Sequence, residues 1–129
     1  MSDREHLTLE DEFELIGVLK VGPLRDLGLL HSALARTRSS AFGQDAYVTM
    51  DLKASALLHS LVKNHPLVDG NERLAWLSTT VFLLLNGHEA NLRNDEAFAL
   101  VLEVASGSLE REEIAQRLRV RTVGPEDDS

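Results

Sequence analysis

The chain predicts a single all-α domain, and three observations carry that prediction. Apolar residues recur at three- and four-residue steps along most of its length, and helix-starting residues stand just ahead of those runs. Only one short segment, 39–48, reads as loop or hairpin. A length of 129 residues suits one domain, and 43% apolar with 26% charged residues is a globular composition, not that of a disordered tail.

The elements follow in order. Thr8 precedes a helix over 9–19. A second runs over 26–36, after Pro23. The segment SSAFGQDAYV at 39–48 combines turn chemistry in Gly43-Gln44-Asp45 with some strand character in Ala46-Tyr47-Val48. Thr49 caps a helix through about residue 64, with Asp51 in its first turn, where the helix dipole favours an acid. Its Leu52, Ala56, Leu57, Leu61 and Val62 share one face, and Pro66 stops it. The next helix, 71–86, is apolar nearly all round, which predicts a place at the centre of the fold. Asn86-Gly87 supplies a left-handed stop. The cluster Asn94-Asp95-Glu96 opens a helix over 94–105, and Ser108 caps a last one through Leu118. About residues 1–7 and 122–129 read as flexible ends of the one domain, 1–129.

Charge and cysteine content narrow the function. Thirteen Lys and Arg against 21 Asp and Glu give a net charge of −8, a poor balance for direct nucleic-acid binding. The acid is uneven: Asp3, Glu5, Glu10, Asp11, Glu12 and Glu14 face Arg4 alone in the first fourteen residues. With no cysteine there is no disulfide scaffold, thiolate nucleophile or cysteine zinc site. The longest apolar run, 81–85, is far short of a membrane span, so a cytoplasmic protein is expected.

The chemistry concentrates in HPLVDGNER at 65–73, between the two central helices. A helix N-terminus opened by glycine presents free N–H groups to an anion, and Gly70 lets a phosphate approach the backbone. Arg73 grips phosphate oxygens with a planar fork. Asp69 is a hard oxygen ligand of the kind Mg²⁺ takes alongside substrate phosphates. His65 has the chemistry to remove a hydroxyl proton near neutral pH. Base, metal ligand and anion cradle together are the parts of a phosphoryl- or nucleotidyl-transfer site. Taken singly, each residue has a plainer reading: His65 as a helix C-cap, Asp69 as an N-cap, Arg73 as a surface charge.

The loop resembles the HPFxDGNKR signature of the Doc (death-on-curing) toxins, within the wider Fic superfamily. RDLGLL at 25–30, the Tyr47 segment, LLHS at 57–60 and FLLLNG at 82–87 also resemble that family, so the likeness covers about 8–119. It implies a compact bundle of about six helices with a short flap around 40–48. Fic enzymes mostly transfer AMP. Doc toxins, the nearer resemblance, are kinases that move the γ-phosphate of ATP to a threonine of elongation factor Tu and stop translation. Carried over by position, the likeness makes His65 the base and gives Asp69 to Mg²⁺ or the leaving phosphates. It gives Gly70, Asn71 and Arg73 to the phosphates, with Glu72 in the same stretch. Phe42, Gly43 and Tyr47 fall in the flap that docks the target. No (S/T)xxxE(G/N) inhibitory motif occurs, so inhibition is expected in trans, from a Phd-type antitoxin helix in a groove beside the motif.

Two positions depart from the signature. Leu67 replaces a phenylalanine, and Glu72 replaces the Doc lysine. A carboxylate repels phosphates where an ammonium attracts them, and one such pair about 4 Å apart is worth about 4 kcal/mol at an effective dielectric of about 20. Glu72 binds Mg²⁺, pairs with Arg73, points to solvent or disables the site, and the sequence leaves these open. The competing expectations are therefore a Fic-type AMP transferase and a degenerate Doc fold serving as a binding or regulatory module. Elsewhere, Trp76 reads as core, His31 and His88 as surface, His6 as polar leader, and Arg117, Arg119 and Arg121 as a solvated helix end. His59, six positions before His65, is too far for a metal pair on one helix.

Overall fold

A computed structural model describes residues 6–38, 40–41, 44–45 and 49–123. Among these, six helices carry the architecture: α1 (Leu9–Leu19), α2 (Leu27–Arg36), α3 (Met50–Asn64), α4 (Asn71–Leu85), α5 (Asn94–Ser106) and α6 (Arg111–Leu118). The compact all-α bundle expected from the periodicity is the fold observed.

Local chemistry sets most helix starts. Thr8 and Asp11 form a reciprocal capping box at α1: the Thr8 hydroxyl accepts from the Asp11 N–H at 3.1 Å, and the Asp11 carboxylate accepts from the Thr8 N–H at 2.9 Å. The Asp26 carboxylate accepts from the Leu29 N–H at 3.0 Å, and the Thr49 hydroxyl from the Leu52 N–H at 3.4 Å. Asn86 ends α4, with Gly87 left-handed at φ +76°.

Two caps differ from the sequence reading. The N-cap of α6 is Glu110, whose N–H donates to the Glu113 carboxylate at 2.9 Å. Ser108 is instead turned back to the end of α5, bonding Ser106 and the Glu103 carbonyl. Arg93, not Asn94, stands at the start of α5, where its N–H donates to the Glu96 carboxylate.

The centre of the fold belongs to α3, not α4. Ten of the fifteen α3 residues are buried, and α2, α4, α5 and α6 all pack on it. Its small Ala54, Ser55, Ala56 and Ser60 let neighbours approach on every side, while Leu57, Leu58 and Leu61 fill the core. Each such leucine is worth about 1.5–3 kcal/mol of burial. On α4, Leu74, Ala75, Phe82 and Leu83 are buried and Trp76 and Val81 lean on the core, while Leu84 and Leu85, expected on its main apolar stripe, are exposed.

Two small antiparallel ribbons complete the fold. β1 (Ser40–Ala41) pairs with β2 (Gln44–Asp45) in the segment expected to be a hairpin. Phe42, Gly43 and Tyr47 lie outside the described residues. β3 (His88–Ala90) pairs with β4 (Val120–Thr122), tying the end of α4 to the end of α6. Residues 1–5 and 124–129, within the ends read as flexible, also lie outside the described residues. Leu7 is core, and the His6 ring sits 6.3 Å from that of Phe82, so the packed domain begins before α1.

Candidate functional site

The 65–73 loop joins the two best-buried helices, and its shape follows from the ends it connects. α3 terminates at His65, which takes a left-handed conformation (φ 50°, ψ 59°), and α4 begins after Gly70, also left-handed at φ 90°. Between them Pro66 and Leu67 turn into the core, and Leu67 is 1% exposed. Leucine therefore fills the anchor position that the family signature gives to phenylalanine.

A second segment, the connection from α1 to α2, braces this loop along its length. The Gly22 N–H donates to the Asp69 carbonyl at 3.0 Å, and the Val68 N–H donates to the Pro23 carbonyl at 2.9 Å. Arg25 and Asp26 donate their N–H groups to the Pro66 carbonyl. The Arg25 guanidinium reaches over the end of α3, donating to the carbonyls of His65 at 2.8 Å and Asn64 at 3.1 Å. These are orphan carbonyls at a helix C-terminus, where a cation also complements the dipole. Arg25 is the residue that sequence reasoning missed here. It was legible only as part of the family-like 25–30 stretch, because nothing local ties it to a carbonyl forty residues away.

His65 is exposed at the loop's first turn. Asp69 and Arg73 are exposed one helical turn apart, 3.9 Å between carboxylate and guanidinium. Asn71 is buried and turned inward: its side-chain oxygen accepts from the Leu67 N–H and its amide donates to the Leu67 carbonyl, both at 2.9 Å. Its side chain shapes the loop, leaving its backbone N–H for the cradle. Gly70 has a packing reason of its own, since a Cβ there would stand 2.5 Å from the Val21 side chain.

The N-terminus of α4 carries no side-chain cap. Its first N–H groups and the Arg73 guanidinium thus supply donors and positive potential suited to an anion, beside the Asp69 carboxylate that pairs with Arg73. Glu72 forms no ion pair with Arg73, which pairs with Asp69. It lies instead at the rim of a groove of about 450 Å³ between α1, α4 and α5, beside Arg73, Trp76, Leu77, Phe98 and Leu102. Phe98 is 68% exposed on that groove.

Among the described residues no three His, Asp or Glu side chains cluster closely enough to hold an ion. Asp69 offers one exposed carboxylate, which fits Mg²⁺ in the mode where phosphates and water complete the shell and does not fit a metal held by protein alone. Elsewhere, Arg117, Arg119 and Arg121 each pair with an acid: Glu103, Glu96 and Glu89. No described helix is long and apolar enough to cross a membrane.

Residues 5–83 match the model of the Fic/DOC family. Over 118 residues the chain is 42% identical to a protein named Toxin Doc from Mycolicibacterium smegmatis, covering 90% of this chain and 88% of that one.

Proposed function

The chain belongs to the Fic/Doc family, and from that membership and its loop geometry we propose that it is a Doc-like toxin that phosphorylates a protein. The donor in this reading is ATP, the acceptor a Ser or Thr hydroxyl of elongation factor Tu, and the consequence is arrest of translation. One observation carries the proposal: a braced loop presents an exposed His65 at one end and an uncapped helix N-terminus with Arg73 at the other.

In the proposed reaction the His65 imidazole takes the hydroxyl proton. The hydroxyl oxygen bonds to the γ-phosphorus as the bond from that phosphorus to the bridging oxygen breaks, and ADP leaves. Charge on the transferring group is met by the N–H groups of residues 71–73 and by the Arg73 guanidinium. A bound Mg²⁺ would supply further neutralisation of the phosphate chain, with Asp69 as its protein ligand. Arg25, through its bonds to the His65 and Asn64 carbonyls, holds the base in place.

A separate antitoxin of Phd type is the proposed inhibitor. The groove beside Glu72 and Arg73 supports this, being apolar along its floor and charged at one end, as an amphipathic helix requires.

The test is intact mass spectrometry of elongation factor Tu after incubation with ATP, Mg²⁺ and this protein, its His65→Ala variant or its Glu72→Lys variant. A gain of one phosphate with wild type and Glu72→Lys, absent with His65→Ala, is the expected result. A gain with Glu72→Lys alone means that Glu72 has disabled the phosphate site and left a binding module. An AMP-sized gain reassigns the chain to nucleotidyl transfer.

A further inference from the structure

His65 also borders a second space. A cavity of about 530 Å³ opens between the end of α2, the last two turns of α3 and the connection from α5 to α6. Its charged and titratable lining is Arg36, His59, Lys63, His65, Glu110 and Arg111. Of the 65–73 loop it touches His65 alone; none of Asp69 to Arg73 lines it.

Three of those groups are cations with no ion pair among the described residues, and they converge on one cavity, unlike Lys20, Arg25 and Arg38, which also have none but do not line it. Arg73, Arg93, Arg117, Arg119 and Arg121 each have a carboxylate within 4.0 Å, whereas Arg36, Lys63 and Arg111 have none among the described residues. Glu110 is the one acid on the wall, set against three positive charges. In a chain of net charge −8, that convergence from three separate elements runs against the average field.

A second observation points the same way. The Arg111 Nε is shielded from solvent and has no acceptor among the described residues, a donor that folding alone leaves unsatisfied. The half-buried His59 lies in the same field. Its imidazole is held below the ordinary value by burial and by Arg111, Lys63 and Arg36, with Glu110 opposing.

We propose that this cavity is a second anion site, taking the di- or triphosphate chain of a small molecule on the side of His65 away from the Asp69–Arg73 edge. Phosphate fits better than a lone carboxylate, which engages one cation or two. A polyphosphate carries enough charge and oxygen atoms to meet three cations that stand on three elements. The volume lies within the range of small-molecule sites. The site is inferred from the unpaired cations and stands whether or not the chain is a kinase.

Binding without turnover tests it. Inorganic triphosphate and ATP are titrated by calorimetry, without Mg²⁺, into wild type, the double variant Arg36→Gln/Arg111→Gln, and Arg73→Gln, each checked for folding by circular dichroism. The His59 ring is followed by NMR in the same samples. The expected result is a triphosphate event, coupled to the His59 ring, that the double variant weakens at least about tenfold and Arg73→Gln retains, any loss in Arg73→Gln being confined to binding that does not move His59. The His59 midpoint should rise on saturation, because the bound anion offsets the neighbouring cations. If the double variant fails to fold, Lys63→Gln takes its place with the same expectation. ATP binding more tightly than triphosphate identifies a nucleotide as the natural source; equal binding identifies a free phosphate chain. Absence of triphosphate binding, or binding lost with Arg73→Gln while His59 stays unmoved, overturns the proposal and leaves the kinase reading untouched.

Discussion

Asn71 closes the 65–73 loop on Leu67 through two buried hydrogen bonds of 2.9 Å, one accepted and one donated. A side-chain amide carries an acceptor and a donor on one planar group, and Asn71 uses both on the same residue. The signature asparagine is thereby a fastener for the turn that carries His65.

The first prediction follows from that pairing. Asn71→Ala leaves the Leu67 N–H and C=O buried without partners, at about 1–3 kcal/mol each. Urea unfolding should show a loss of about 2–4 kcal/mol at unchanged slope. Asn71→Asp keeps the acceptor and loses the donor, so it should fall between wild type and Asn71→Ala. An Asn71→Ala protein as stable as wild type would mean that the loop does not depend on this clasp.

Gly70 supports a second prediction, because its two constraints separate. Its φ of 90° costs a side chain about 1–2 kcal/mol, and a new Cβ would also lie 2.5 Å from both Cβ and Cγ1 of Val21. Gly70→Ala should therefore lose about 2–4 kcal/mol once the overlap is added. Pairing it with Val21→Ala should not restore stability, since the Val21 Cβ is itself in the way. Pairing it with Val21→Gly should lift the overlap term and leave the backbone term, which thermal unfolding of the three variants can resolve.

Glu12 makes stability depend on pH. It is fully buried on α1, with both oxygens accepting from the Ser78 hydroxyl at 2.9 Å. Burial raises its pKa from 4.5 to about 7, opposed by the Ser78 bond and assisted by Asp11. The folded state thus holds this proton more tightly than the unfolded chain does. Below the unfolded value neither state is charged and Glu12 costs nothing. Between 4.5 and about 7 stability falls as pH rises, and above that range the cost is complete, at about 3 kcal/mol. Unfolding midpoints at pH 5 and pH 8 should show the protein losing most of this increment, part of it being already lost at pH 5, and Glu12→Gln should remove most of the difference.

Glu12 also shows where the sequence stops being informative. Among Glu10, Asp11, Glu12 and Glu14 nothing distinguishes the acid that turns inward, because Ser78, its partner, is sixty-six residues away. The helices were legible because their signals are local: Thr8, Asp26 and Thr49 sit beside the N–H groups they cap. The ribbon of β3 and β4 was not, since two three-residue strands show no period and pair across twenty-nine intervening positions. Within the candidate site, the identity of HPLVDGNER was readable, while the roles of Asn71 and Gly70 depended on Leu67 and Val21. The centre of the fold was misjudged for a related reason. An α4 apolar nearly all round looks more central than an α3 with alanines and serines among its leucines, yet small side chains are what admit four neighbours.

Arg25 turns the brace into a prediction about rate. Its guanidinium donates to the carbonyls of His65 and Asn64, and Arg25→Ala removes both bonds at an exposed helix end, at about 1 kcal/mol of stability. Arg38 offers a control of the same kind at the other end of α2, donating to the Leu7 carbonyl at 3.1 Å. If Arg25 fixes the position of His65, Arg25→Ala should lower kcat for phosphoryl transfer about tenfold with KM for ATP nearly unchanged. Arg38→Ala, of similar stability, should leave kcat within about twofold of wild type. Arg25→Lys should rescue little, because a single ammonium cannot reproduce the fork that spans two successive carbonyls. Equal losses in Arg25→Ala and Arg38→Ala would reduce Arg25 to a stabilising contact and leave the orientation of His65 to the backbone ladder from Gly22 to Asp26.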